Sequence, residues 1–159
     1  MVLPIFFYLY GKIEKIPLGG PLMTIPAHSI EELIAQSAHQ ELFHLIDQWM
    51  QVTFPTLRRR LVQTPTITFV AYGDLANANP DEPFSSIVAL APQKNNLSFY
   101  ITGEKNRAPI LANYATFFPK SAMGKTCLRL RNPKKLNLSI LEAIVHDVIT
   151  WNDLQQKAN

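Results

Sequence analysis

The chain has 159 residues, room for one domain with a core of ordinary size, and its 47% hydrophobic and 17% charged content sets it apart from disordered sequences. A single cysteine, Cys127, excludes an internal disulfide and with it the small disulfide-stapled scaffolds, and points to a reducing, cytoplasmic setting. The net charge of +3 permits anionic partners but lacks the dense basic face of a dedicated nucleic-acid module, so no specific nucleic-acid binding is expected.

At the N-terminus, residues 2–10 (VLPIFFYLY) form an apolar run broken by Pro4, far short of the ~20 residues that a spanning helix needs. Lys12 and Lys15 follow this run instead of preceding it, and no Ala-x-Ala site comes after, so the pattern is not that of a signal peptide. No membrane segment is expected. Residues 1–22 read as an N-terminal extension, with Met23 as an alternative start and residues 23–159 as a single domain. The competing reading is an added edge strand, which the Ile, Phe and Tyr content suits. Residues 2–10 would be sticky if exposed, and are expected to pair with a sheet edge or cover an apolar patch.

Ser29-Ile30-Glu31-Glu32 carries a serine cap with a glutamate three residues on, and opens the first helical region. Ile30, Leu33, Ile34, Leu42, Leu45, Ile46 and Trp49 recur behind it at helical spacing, with a break expected near Ser37 to Gln40. After Pro55, residues 57–62 read as one more helical stretch, placing Arg58, Arg59 and Arg60 on a solvated helix surface. The period then changes to two. Residues 66–72 alternate as a strand stopped by Gly73-Asp74, residues 75–83 form a polar loop, and residues 84–91 and 97–101 read as strands joined by a short hairpin at Pro92 to Asn96. A short helix over 108–117, a strand over 126–131 and a helix from Leu138 to about Trp151, capped by Asn137, complete the chain. This order predicts an α+β fold: a central antiparallel sheet of about four to five strands with helices packed mainly on one face.

Gly124-Lys125-Thr126 resembles the tail of a phosphate-binding loop, but Pro119 stands where that motif needs glycine and a strand-like segment follows instead of a helix. Pleating offers another reading. Cys127, Arg129 and Arg131 point to one side of the strand with Lys125, while Leu128 and Leu130 point to the other. With Lys94 from the hairpin, these residues are the candidate ligand-binding set, able to grip a phosphate or carboxylate. A solvated outer strand face is the competing reading. Lys125 and Arg129 would lower the Cys127 thiol pKa if they share its face, which makes a thiolate enzyme the alternative function. His39 and His44 are five apart, where ligands on one helical face want three or four, so no metal site is expected. No catalytic residue and no cofactor is assigned.

At Tyr72-Gly73, at Ala91-Pro92-Gln93-Lys94-Asn95-Asn96-Leu97-Ser98-Phe99-Tyr100-Ile101 and at Gly124-Lys125-Thr126-Cys127-Leu128-Arg129-Leu130, the chain resembles the YdhG-like domains, a bacterial family largely without known function. The likeness runs in order over roughly residues 29–151. Ala91 and Gln93 depart from it, standing where the family usually has Ser and Arg. So does residues 63–65, which lack the family's tryptophan-glycine pair. The resemblance implies a compact α+β domain, and through some relatives described as frataxin-like it implies iron handling. That would need an acidic ridge, whereas Glu31 and Glu32 offer a thin one on a basic chain. The leading expectation is a non-enzymatic domain binding an anionic small molecule or a protein partner, and a homodimer is compatible with it.

Overall fold

The computed structural model describes residues 24–158, so the expectations about residues 1–22 and Met23 fall outside the described residues. Helix α1 (Ile30–Gln36) begins at Ser29, whose hydroxyl accepts from the Glu32 amide at 3.0 Å, and the Glu32 carboxylate reaches back to the His28 amide at 2.8 Å. The first bond satisfies an orphan amide of the first turn, and the second fixes the residue just before the cap. The expected break follows, and helix α2 (Gln40–Thr53) buries Leu42, Phe43, Ile46 and Met50. At the far end, α3 (Leu138–Lys157) starts with Asn137 accepting from the Ile140 amide and runs a turn and a half beyond the expected end. No described helix is long and apolar enough to cross a membrane.

Between the helices lies an antiparallel sheet of β1 (Arg59–Gln63), β2 (Thr68–Tyr72), β3 (Val88–Pro92), β4 (Leu97–Ile101) and a last strand, here β7 (Cys127–Leu130), paired in that order. A small ribbon, β5 (Glu104–Lys105) with β6 (Ala108–Pro109), leads into Ile110–Phe117, where the expected short helix takes the 3₁₀ form. The fold class is the one expected. The correction falls on residues 57–62: β1 pairs Arg59 with Tyr72 and Gln63 with Thr68, so the three arginines lie in or beside a strand and not on a helix. Leu and Arg are good helix formers, and this stretch lacks an alternating apolar pattern, so local propensity pointed the wrong way. Pairing with the fully buried β2 overrides it.

Arg58 is exposed, but Arg59 and Arg60 are half-buried, and all three are engaged by the chain. Arg58 grips Asp74 with two nitrogens and also donates to the Pro80 carbonyl, while Arg60 donates to the Glu82 carbonyl and to Ser85 Oγ. Both pin the loop that follows β2. Arg59 turns inward and holds Asp47 of α2 through bonds of 2.9 and 2.7 Å, and the Tyr72 hydroxyl donates to the same carboxylate at 2.5 Å. Asp47 is 3% exposed and Tyr72 1%. This network ties α2 to the β1–β2 edge. Gly73 closes β2 at φ +73°, where a Cβ would come within 2.8 Å of the Ile87 side chain, so Tyr72-Gly73 serves the fold.

The pleat sends the two faces of the sheet to different surroundings. Val70, Tyr72, Val88, Leu90, Leu97, Phe99, Ile101, Leu128 and Leu130 pack with the apolar stripes of α2 and α3 in the main core. Val62, Phe69, Ala71, Ala89, Ala91 and Tyr100 point the other way and form a second apolar cluster with Ile67, to which Phe84 and Cys127 add partly buried surface.

Two outcomes follow from the Asp47 network and the buried phenols. Asp47→Ala strands the Arg59 guanidinium and should cost about 3 kcal/mol of unfolding free energy in urea titrations, whereas Tyr72→Phe should cost about 1 kcal/mol. Burial and then the Asp47 charge push the Tyr72 phenol well above its ordinary range, and burial followed by the Asp147 bond pushes Tyr114 up to about 12. The folded chain therefore keeps these protons longer than the unfolded chain does. Their stabilisation is complete below about pH 10, the ordinary tyrosine value, and fades as the pH climbs through the folded titrations. Absorbance at 295 nm should show both phenols ionising late, in step with unfolding and not before it.

Candidate functional site

Strand β7 forms one side of the sheet, and its backbone is held by β4 through Tyr100 opposite Cys127 and Ser98 opposite Arg129. A tight turn precedes it, in which the Gly124 amide donates to the Cys127 carbonyl at 2.8 Å. A Cβ on Gly124 would sit 3.0 Å from that carbonyl oxygen and 3.3 Å from Cys127 Sγ, so the glycine lets the turn fold tightly over the thiol. Lys125 is followed by β7 and not by a helix, so its backbone amides form no phosphate cradle of the nucleotide-binding kind.

The expected alternation holds. Leu128 and Leu130 enter the main core, while Cys127 and Arg129 lie half-buried on the second face. Lys125 and Arg131 are exposed at the two ends of the strand. Six residue steps separate these two lysine and arginine positions, ~20 Å at the rise of a strand. Lys94 is exposed in the turn between β3 and β4, beyond the Pro92–Leu97 pair, and so stands at the Arg131 end, far from Lys125. The candidate residues therefore form a strip along β7, not one compact pocket.

Neighbours across the sheet add polar groups that only the strand register reveals. Ser98 lies between Ala91 and Arg129 and donates to Asn96 Oδ1 at 2.7 Å. Burial pushes the Tyr100 phenol above its ordinary range, with Ser98 and Gln93 opposing. The Gln93 amide nitrogen is close enough to favour the phenolate, yet it makes no hydrogen bond of full geometry. The Leu-Ser-Phe-Tyr-Ile alternation places Ser98 and Tyr100 on one face, but nothing in the sequence sets them beside Arg129.

Charge sets this strip apart. No aspartate or glutamate occurs between Glu104 and Glu142, while Lys105, Arg107, Lys120, Lys125, Arg129, Arg131, Lys134 and Lys135 all fall there. Among the described residues Lys105 alone of these meets a carboxylate, that of Asp147 at 3.0 Å. The acidic residues of the first helical region are engaged elsewhere: Asp47 binds Arg59, and Glu31 approaches the same guanidinium at 3.5 Å. No cluster of three or more His, Cys, Asp or Glu side chains able to hold a metal exists among the described residues.

Burial pushes the Cys127 thiol above its ordinary value, and the nearby Arg129 charge and Ser98 hydroxyl oppose this without reversing it. A nucleophilic thiolate needs the opposite shift. Iodoacetamide alkylation of Cys127 followed against pH should thus show an apparent midpoint above the free-thiol value of about 8.5, and slow labelling at pH 7. A midpoint below that value would show that the arginine dominates. No family model matches this chain, and comparison with curated proteins and with solved structures finds no match.

Proposed function

We propose that this domain is a non-enzymatic binding module that takes an anionic ligand or partner along β7. The observation that carries the reading is the run of cations from Lys120 to Lys135 without a carboxylate partner among the described residues, beside Arg58, Arg59 and Lys105, which all have one. Cations without intramolecular counter-ions are available to an external anion, and Arg129 presents a planar donor fork on a strand held rigid by β4. A strip of ~20 Å suits a ligand carrying several carboxylates or phosphates in an extended array better than a compact single anion. The YdhG-like resemblance supports the same region, because two of its three segments, the β3–β4 hairpin and the Gly124 to Leu130 stretch, supply Lys94, Lys125, Cys127 and Arg129. The raised thiol of Cys127 supports binding over thiol chemistry.

Amide shifts of the isotope-labelled protein, titrated with inorganic phosphate and with a hexaglutamate peptide, test this. The peptide is expected to move the amides from Gly124 to Arg131 at lower concentration than phosphate does. Arg129→Ser with Arg131→Ser should leave the remaining spectrum intact and weaken the peptide about tenfold, as two exposed ion pairs of up to ~1 kcal/mol each imply. A wild-type spectrum unmoved by either probe, or a double variant that binds as well, would refute the reading.

A further inference from the structure

The β5–β6 ribbon closes in a turn of unusual hand. Lys105 pairs with Ala108, and the two residues between them, Asn106 and Arg107, have φ of 57° and 61°. A two-residue hairpin turn of this kind needs positive φ at both centres, and its favoured sequence is Asn-Gly. Asn106 suits the first position. Arginine at the second carries a Cβ into the left-handed region that glycine enters without penalty.

Bonds from outside the turn hold it there. Asn113 of the 3₁₀ segment donates to the Lys105 carbonyl at 3.1 Å, and its side-chain oxygen accepts from Asn106 Nδ2 at 3.0 Å. The Ile110 amide donates to the Gly103 carbonyl, and Lys105 Nζ lies 3.0 Å from both Asp147 oxygens. None of these bonds uses the Arg107 side chain. It is exposed and, among the described residues, meets no carboxylate, whereas Lys105 two positions earlier does. A strained residue held by its surroundings, with a side chain that these bonds leave idle, points to a contact outside the chain.

Connectivity sets the ribbon at one end of the cation strip. The Ile101 amide donates to the Thr126 carbonyl at 2.8 Å, next to Lys125, and β5 begins three residues after Ile101. At most ~20 Å of chain separates Arg107 from that contact.

We propose that Arg107 is a further anion-gripping residue, and that the ligand is an extended acidic polypeptide segment reaching from the β7 strip to the ribbon tip. This inference rests on the anion-binding reading of β7 and adds the ligand's class and length. Spacing favours a peptide among polyanions. Arg129 and Arg131 are two positions apart at the rise of a strand, ~6.7 Å, and alternate side chains of an extended peptide recur at the same interval. The strip itself takes about six extended residues, and the reach to Arg107 raises the span to at most ~40 Å, or about twelve. A tip fixed by Asn113 and Asp147 loses little freedom when it grips a carboxylate, and the arginine fork suits that group.

Amide shifts of the isotope-labelled full chain, titrated with hexaglutamate and with dodecaglutamate, test the proposal. Dodecaglutamate is expected to move the amides of Asn106 and Arg107 together with those from Gly124 to Arg131. It should bind Arg107→Gly about fivefold more weakly than wild type, the worth of one exposed ion pair. Hexaglutamate, too short to span both places, should bind the two proteins within about twofold of each other. Shifts confined to Gly124 to Arg131, or a variant that holds dodecaglutamate as tightly, would overturn this inference and leave the β7 reading standing. Amides of β7 unmoved by either peptide would overturn both. A long-chain inorganic polyphosphate acting on both sets of amides at lower concentration than dodecaglutamate would refute the peptide assignment. The thermal midpoint is the second measurement: Arg107→Gly should melt at the wild-type temperature or up to ~2–4 °C above it, as glycine relieves the left-handed backbone. A lower midpoint would show that the fold itself uses the arginine, and the proposal would fall.

Discussion

The Asp47 carboxylate is the point at which helix and sheet are locked together. It takes two bonds from Arg59 and one from Tyr72, and Gln51 Nε2 adds a fourth contact at 3.2 Å from the next turn of α2. A buried charge without such partners would cost several kcal/mol, so Asp47 can be buried here only with Arg59 beside it. That requirement fixes more than one contact. Arg59 can reach Asp47 only if β1 pairs with β2 in a register that sets it opposite Tyr72, because a slip of one residue would turn Arg59 toward the second face. The helix position, the strand register and the choice of which arginine is buried are thus one decision. Replacing such a group with apolar residues can be neutral for stability, so its contribution here lies in specifying the arrangement.

A similar device secures the other end of the molecule. Asp147 of α3 receives Lys105 and the Tyr114 hydroxyl, tying the β5–β6 ribbon and the 3₁₀ segment to the helix. Asn152 then donates to the Asp74 carbonyl and accepts from the Ala76 amide, so α3 also holds the start of the loop after β2. Gly103, at φ +91°, sits where a Cβ would press within 2.9 Å of Trp151, which lets the ribbon leave β4 close against the helix. Polar ties of this kind place irregular chain that an apolar core alone would not position.

Much of this was legible in the sequence where the physics is local. The Ser29 and Asn137 caps, the break before Gln40 and the limits of β4 follow from hydrogen-bonding residues and from periods of 3.6 and 2, all visible within a few positions. Residues 57–62 were not, because Leu57-Arg58-Arg59-Arg60-Leu61-Val62 carries no alternation and its conformation is imposed by β2 and by Asp47, seven to thirteen positions away. The site divides the same way. Pleating alone puts Lys125, Cys127, Arg129 and Arg131 on one side, but the distance of Lys94 from Lys125 and the closeness of Ser98 and Tyr100 to β7 depend on pairing register. Cys127 illustrates the limit: its neighbours in sequence are cations that favour a thiolate, yet burial, invisible locally, has the larger effect.

The distribution of charge gives the cation strip its meaning. In a domain that used its cations only for solubility, carboxylates would be interspersed among them, since alternating signs reduce self-repulsion. Here the interspersion is present on one half and missing on the other: Arg58, Arg59 and Lys105 are each matched with an aspartate, while the segment from Lys120 to Lys135 carries no acid at all. Holding like charges together opposes folding, and the opposition falls when an anion binds across them. The strand of this segment is held by β4 and by a bridge from Met123 to Leu128, and its inward leucines are fixed in the core. The fold therefore supplies a strand held by its neighbour behind cations that meet no carboxylate among the described residues, and the proposed anion binding rests on that arrangement.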